Sequence, residues 1–189
     1  MPLPKEEHYT LADALTWDEN ERIELIDGVP YMMAPPVREH QRILMELARQ
    51  IGNYLAGKKC EVYPAPFAVR LFEQASDEPR NVNTMVEPDI SVVCDPDKLD
   101  KIGCRGAPDF IVEILSPSTQ RHDRLTKYNL YQQAGVREYW IVDPELQTVQ
   151  VFVLEDRHFQ AFEFYNADAV ADVKALPGCR ISLSDVFGI

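Results

Sequence analysis

An apolar run with one acid inside it, FIVEIL at residues 110–115, constrains this chain more than any other feature. A continuous apolar run of this length is typical of a strand in a sheet that is covered on both faces. Turn and cap residues follow in SPST, and a helical pattern then extends to about residue 134, where Gly135 ends it. The next strand is EYWIV at 138–142, so residues 110–143 predict a right-handed parallel strand–helix–strand crossover.

The rest of the chain alternates shorter elements. The Asp27-Gly28 pair predicts a hairpin turn between two strands. The other expected elements are a short helix within 1–20, a helix at 38–56, a strand at 60–72, a loop at 73–86, a strand at 88–94, a connecting loop at 95–107, strands at 148–154 and 159–165, and a closing edge segment at 176–189. This order predicts an α/β fold, a central mixed sheet flanked by helices with an N-terminal hairpin, in one domain spanning residues 1–189.

Composition limits the class of protein. A chain of 189 residues with 46% hydrophobic residues can bury a sizeable core. No apolar run is long enough to span a membrane, and MPLPKEEHYT lacks the basic start and apolar region of a signal peptide. We therefore expect a cytoplasmic protein with no membrane association. The net charge of −12 opposes a general nucleic-acid binder, so a basic footprint here has to be local.

The cysteines show no metal-binding pattern. They form no CxxC pair and no zinc-type spacing, and we expect all of them to be reduced, partly buried thiols: Cys60, Cys94, Cys104 and Cys179.

Two acids and a lysine suggest a divalent-cation site. Glu113 lies in the middle of the buried run, where an ionised carboxylate is costly unless it is compensated. Asp89 opens a neighbouring strand after Pro88, and Lys127 lies with Tyr131 on the helical stripe that faces the sheet. Carboxylate oxygens favour Mg²⁺ or Mn²⁺. The alternatives are that Asp89 is a turn acid, that Glu113 only pairs with Lys127, and that Lys127 extends along the helix surface to solvent.

Glu24 and His40 are further candidates for the site. Glu24 lies in the charged strand of the hairpin and would otherwise be a solvated residue, while His40 near the start of the second helix would otherwise be a satisfied helix-terminal histidine. A local basic cluster next to the proposed site would contact DNA phosphates, the alternative being a mixed-charge solvated helix end. Its proposed nucleic-acid-binding members are Arg121, Arg124 and Arg137.

Several motifs together resemble one family. EPD at 87–89, PDFIVEILSPST at 108–119, D-x-x-x-K at 123–127 and GVREYWIVDP at 135–144 are similar in order to the Uma-type restriction endonucleases of the PD-(D/E)xK nuclease superfamily. ELIDG, the PP pair before the second helix and His40 extend the resemblance, which covers about residues 20–155.

The resemblance implies a restriction-endonuclease-like core and Mg²⁺-dependent hydrolysis of DNA phosphodiester bonds. Asp89 and Glu113 would bind the metal, and the enzyme would be a homodimer. Leu115 stands where the superfamily usually has its lysine, so Lys127 would have to act from the helix instead. The alternative is a catalytically inactive homodimer of the same fold that binds nucleic acid or protein. A carboxylate-pair hydrolase acting on sugars, which needs no cation, is a third hypothesis.

Overall fold

The apolar run around Glu113 forms a fully buried strand in the computed structural model of the protein. The structure describes residues 8–18, 22–116 and 122–189, and it does not describe the side chains of residues 122 and 123. The strands of the described part are β1 (Ile23–Ile26), β2 (Val29–Met32), β3 (Glu61–Pro64), β4 (Ala68–Arg70), β5 (Ile90–Val93), β6 (Gly103–Arg105), β7 (Phe110–Ile114), β8 (Glu138–Asp143), β9 (Thr148–Glu155), β10 (His158–Asn166), β11 (Val170–Val173) and β12 (Cys179–Ser182). The helices are α1 (Leu11–Ala14), α2 (Arg38–Leu55), α3 (Tyr128–Ala134) and α4 (Leu183–Phe187), and a π-helical segment, His122–Lys127, leads directly into α3.

A mixed sheet of six strands, in the order β10-β9-β8-β7-β5-β3, forms the centre of the fold. Strands β7 and β8 are parallel, as the predicted crossover requires, and every other neighbouring pair in this sheet is antiparallel. The predicted fold class, a mixed sheet flanked by helices, is therefore confirmed.

The two faces of the sheet are covered by different elements. Helix α2 packs on one face together with α4 and the β11–β12 pair, and α3 packs on the other face. Because both faces are covered, β7 and β8 are buried along their whole length. The C-terminal segment at 176–189, which the sequence predicted as an edge, instead contributes β12 and α4, and β12 pairs with β11 in a separate two-stranded sheet.

The predicted hairpin forms, with Asp27 at φ 50° and Gly28 at φ 79° in the turn between β1 and β2. A left-handed conformation at both turn positions is what an Asp-Gly pair favours. The hairpin is attached to the body by a two-way backbone pairing of Leu25 with Met85.

Two stretches differ from the sequence-based expectation. Residues 60–72 were predicted as one strand, but they form β3 and β4 in different sheets, on either side of a cis Ala65–Pro66 bond. The predicted connecting loop at 95–107 contains β6, which pairs in parallel with β4. Both strands have only three residues, too few for a periodic pattern to reveal them.

The prediction that all cysteines are reduced was wrong for two of them. Cys60 and Cys94 form a disulfide, because the antiparallel register that pairs Glu61 with Val93 brings the two flanking cysteines opposite each other. Their separation of 34 residues gives no sign of this register in the sequence. The other two are free buried thiols, as expected: Cys104 and Cys179.

Candidate active site

Glu113 projects from the middle of β7 towards the face covered by α3. Its Oε1 accepts hydrogen bonds from Lys127 Nζ at 3.0 Å and from Tyr131 OH at 2.5 Å. Both donors lie four residues apart on one side of the same helical segment, which is the spacing that places side chains above one another. All three side chains are almost fully buried, with Glu113 and Lys127 each 3% exposed and Tyr131 fully enclosed.

Glu24 contacts the same lysine from the hairpin. Lys127 Nζ lies 2.9 Å from Glu24 Oε1, and that oxygen also accepts a hydrogen bond from the Glu87 backbone N–H. Glu24 is 2% exposed, so it is not the solvated strand residue that its charged neighbours suggested. We refer to Glu24, Glu113, Lys127 and Tyr131 as the lysine cluster.

Asp89 lies at the start of β5, beside the end of β7. The register pairs Ile90 with Val112, which places Asp89 across from Glu113 in the antiparallel ladder. Its Oδ2 accepts a hydrogen bond from the Ile114 backbone N–H at 2.7 Å. The Asp89 carboxylate is thus fixed next to the backbone of Glu113 by a main-chain donor.

His40, in the first turn of α2, approaches Asp89 from the other side of the sheet. Its Nε2 lies 3.1 Å from Asp89 Oδ2, and its buried Nδ1 has no hydrogen-bond partner among the described residues. A buried ring nitrogen without a partner is uncommon in a purely structural role. The histidine also lines a cavity of about 220 Å³, whose walls are Val37, Glu39, His40, Leu115, Ser116, Asp143, Pro144 and Glu145.

Among the described residues, the carboxylates of the site outnumber its lysine. Glu24, Glu113 and Asp89 carry two more formal negative charges than Lys127 offsets, and all their donor atoms are the hard oxygens that Mg²⁺ and Mn²⁺ prefer. Within the described ranges, no group of three or more His, Cys, Asp and Glu side chains is arranged to hold a metal. Mg²⁺ commonly takes only one or two protein carboxylates and completes its coordination with water and substrate oxygens, so a pair such as Asp89 and Glu113 has the donor chemistry that this ion uses.

Leu115, at the position where the superfamily usually has its lysine, is buried and packs into the apolar cluster under α3. It cannot supply a charge. The cation that reaches Glu113 comes from the helical segment instead, at Lys127.

Within the described residues, the arginines proposed to contact DNA are paired with acids. Arg124 donates to Asp143 at 3.0 Å and to Gln150 at 3.1 Å, and Arg137 donates to Asp109 at 3.1 Å. The third of them, Arg121, lies outside the described residues. Arg137 is largely exposed and Arg124 partly so.

Tyr131 is the member of the site that sequence reasoning missed. It stood on the predicted inward stripe of the helix as a packing residue, but its hydroxyl bonds the central carboxylate. Burial raises the pKa of Tyr131 well above its usual value, and the negative charge of Glu113 raises it further, so the phenol stays a neutral donor. Its position four residues after Lys127, on the same side of the helix, was the sequence feature that could have indicated a place in the site.

Comparison with known proteins agrees with the fold and the motifs. The Uma2 family, described as "Putative restriction endonuclease", matches residues 6–184, a longer stretch than the motifs alone covered. An uncharacterized protein of Synechocystis sp. is 32% identical over 158 residues, which are 82% of this chain and 77% of that protein. A crystal structure described as a putative nuclease belonging to DUF820, from Anabaena variabilis, has a TM-score of 0.73 and 23% identity over 95% of this chain and 97% of that one, which shows a shared fold.

No helix in the described segments combines the length and the apolar character that crossing a bilayer requires.

Proposed function

This chain belongs to the Uma2 family, and from that premise we propose that it is a divalent-metal-dependent nuclease that hydrolyses phosphodiester bonds of DNA. The observation that carries the proposal is the lysine cluster next to Asp89, in which buried carboxylates outnumber the buried Lys127. His40, which contacts Asp89, lines a cavity at the end of the central sheet.

Asp89 and Glu113 would hold the metal. A bound Mg²⁺ or Mn²⁺ would polarise a phosphoryl oxygen and lower the pKa of a water molecule attached to it. Hydrogen bonds keep both carboxylates in place before any substrate arrives: the Ile114 backbone N–H and His40 hold Asp89, while Lys127 and Tyr131 hold Glu113. Preorganised groups of this kind need no rearrangement during the reaction.

Lys127 would act on the reacting phosphate. Its ammonium group lies between two carboxylates, and it can offset negative charge that develops on the phosphoryl oxygens in the transition state. Glu24 would keep the lysine pointing into the site from the side opposite Glu113. In this role Glu24 is a positioning residue rather than a metal ligand.

Binding of DNA would rest on few phosphate contacts. Arg124 pairs with Asp143, and Arg137 pairs with Asp109. Each arginine would contact a phosphate only if it left its acid or bound the acid and the phosphate together. With a net charge of −12, the chain repels a polyanion over most of its surface. We therefore expect binding that depends on the divalent cation more than on these arginines.

The test is cleavage of single-stranded, branched and duplex DNA with Mg²⁺ or Mn²⁺. We expect Glu113→Gln to reduce the single-turnover cleavage rate at least about 100-fold, because the variant loses the charge of a metal ligand but keeps an oxygen for Tyr131. Glu138→Gln is the matched control, since Glu138 is equally buried but lies away from the cluster. Equal cleavage by Glu113→Gln and the wild type would show that a contaminant cuts the DNA, and the proposal would be wrong.

One observation favours a second candidate, a catalytically inactive homodimer that binds nucleic acid or protein. Lys127 is already paired with both Glu24 and Glu113, as it would be in a purely structural ion cluster. Calorimetry separates the two candidates, because the inactive protein would bind neither Mg²⁺ nor Mn²⁺.

The cytoplasmic location stays a prediction. The Cys60–Cys94 disulfide is of a kind that is rare in cytosolic proteins of mesophiles.

A further inference from the structure

We infer that Tyr131 is a positioning residue that fixes the Glu113 carboxylate for metal binding, so that Lys127 can move towards the reacting phosphate without releasing that carboxylate. The inference rests on the proposed function, and it assigns the buried tyrosine a part in the same site.

Two donors share one oxygen of Glu113, and they differ in stiffness. The Lys127 ammonium is the end of a flexible four-carbon chain and is divided between Glu113 and Glu24. The Tyr131 phenol turns about only two side-chain bonds, and its ring is packed edge-on against Tyr139 with 5.1 Å between the ring centres and 73° between the planes. The phenol is therefore the rigid donor of the two.

The hydroxyl of Tyr131 also has the chemistry of a permanent donor. It is fully buried, its bond to Glu113 is short at 2.5 Å, and hydrogen bonds to a charged acceptor are among the stronger ones in proteins. A phenol O–H keeps its proton at neutral pH, so Tyr131 donates to the Glu113 carboxylate and does not repel it. Glu113 thus keeps one bond that does not depend on where Lys127 is.

The other proposed metal ligand is held in the same manner. Asp89 Oδ2 accepts from the backbone N–H of Ile114, a donor that cannot move independently of β7. Each proposed metal-binding carboxylate consequently has one rigid anchor, the backbone for Asp89 and the phenol for Glu113. Groups that orient metal ligands in this way typically change metal affinity or activity 10- to 100-fold when they are removed.

The experiment is a calorimetric titration of Mn²⁺ into the full chain as wild type, Tyr131→Phe and Tyr128→Phe. We expect Tyr131→Phe to raise the dissociation constant for Mn²⁺ about 10-fold, because the Glu113 carboxylate then loses its rigid donor. Tyr128→Phe is the matched control: it removes a hydroxyl from the same helix, one that donates to the Phe159 carbonyl at 3.2 Å, and should leave the constant within about twofold of wild type.

A third variant keeps the test valid if the Tyr131→Phe protein does not fold. Site-specific replacement of Tyr131 by 4-aminophenylalanine keeps the ring and a para N–H donor, so it should fold and recover most of the wild-type affinity. Circular dichroism and urea unfolding of each variant separate a loss of stability from a loss of metal affinity.

The outcomes are distinct. A wild-type titration without heat of binding means that the proposed metal site itself is wrong. Wild-type binding with an unchanged constant in Tyr131→Phe, or, if that variant does not fold, a 4-aminophenylalanine protein that binds 10-fold more weakly despite its donor, would overturn the role of Tyr131 alone.

Discussion

Two buried glutamates on neighbouring parallel strands are stabilised in different ways. Glu113 in β7 receives its hydrogen bonds from side chains on a separate helical segment, Lys127 and Tyr131. Glu138 in β8 faces the other side of the sheet, where the Trp140 indole N–H donates at 2.6 Å and the Ala175 backbone N–H donates at 2.5 Å. Both carboxylates are satisfied, but only the first is paired with a cation in the described structure.

The difference separates a structural acid from a candidate catalytic one. The donors to Glu138 are an indole and a main-chain group, which fix the packing of the C-terminal segment against the sheet. The donors to Glu113 bring a second acid with them, because Lys127 also binds Glu24 and so ties the hairpin to the helix. This charged network joins β7, the hairpin and the helical segment, and charged groups held in buried networks are candidates for a functional site.

Removing the cation should have the largest effect on stability. Lys127→Met removes the ammonium group that pairs with both buried glutamates, Glu24 and Glu113, and we expect it to lower the free energy of unfolding by about 3–5 kcal/mol in urea titrations. Lys174→Met is the control on the side of Glu138, because Lys174 is exposed and should change stability by less than about 0.5 kcal/mol. Equal losses in the two variants would mean that Lys127 does not compensate the buried acids.

Reducing the disulfide should have the next largest effect, and it should leave the site unchanged. Cys60 and Cys94 close a loop with a sequence separation of 34, and we expect reduction to lower the free energy of unfolding by about 3 kcal/mol. Cys94 follows the end of β5 while Asp89 precedes its start, so the Mn²⁺ dissociation constant should not change.

The control for reduction is the double variant Cys60→Ser and Cys94→Ser, whose stability should not respond to reductant. Reduction that weakens Mn²⁺ binding would show that the disulfide and the site are coupled.

Burial raises the pKa of the Cys104 and Cys179 thiols to about 11, so these two should stay unreactive towards alkylating reagents in the folded protein at pH 8.

The sequence predicted the parts of the fold that repeat a local pattern. The crossover from β7 to β8 followed from a continuous apolar run, cap residues and a helical stripe, and the first hairpin followed from Asp27-Gly28. Local patterns say little about which strands lie side by side. The Cys60–Cys94 disulfide and the β4–β6 pair both depend on strand register across separate parts of the chain, and both were missed.

The candidate site was only partly accessible from the sequence for the same reason. Glu113 and Lys127 are 14 residues apart within one crossover unit, so their contact could be expected from helical and strand spacing. The burial of Glu24 depends on the hairpin docking through Leu25 onto Met85, which no local pattern encodes. Arg124 was predicted as part of a basic cluster, but its pairing with Asp143 depends on the neighbouring strand.

The smallest expected effect is the pH dependence of stability that Glu138 causes, and it tests the difference between the two glutamates most specifically. Burial raises the pKa of Glu138 above its ordinary value of 4.5, and the hydrogen bonds from Ala175 and Trp140 oppose that rise only in part. Because the folded protein holds this proton more tightly than the unfolded chain, the stability that Glu138 contributes is complete below about pH 4.5 and is lost as the pH rises through the raised pKa of the folded state.

Glu138→Gln removes this titration while keeping the shape of the protonated side chain. We expect it to change the free energy of unfolding by no more than about 1 kcal/mol, the value of a single buried hydrogen bond. Urea titrations at pH 4 and pH 7, followed by tryptophan fluorescence, should show the variant gaining stability relative to wild type as the pH rises. A stability difference that moves in the opposite direction would mean that the indole and backbone donors outweigh desolvation, and that the folded protein stabilises Glu138 as an anion.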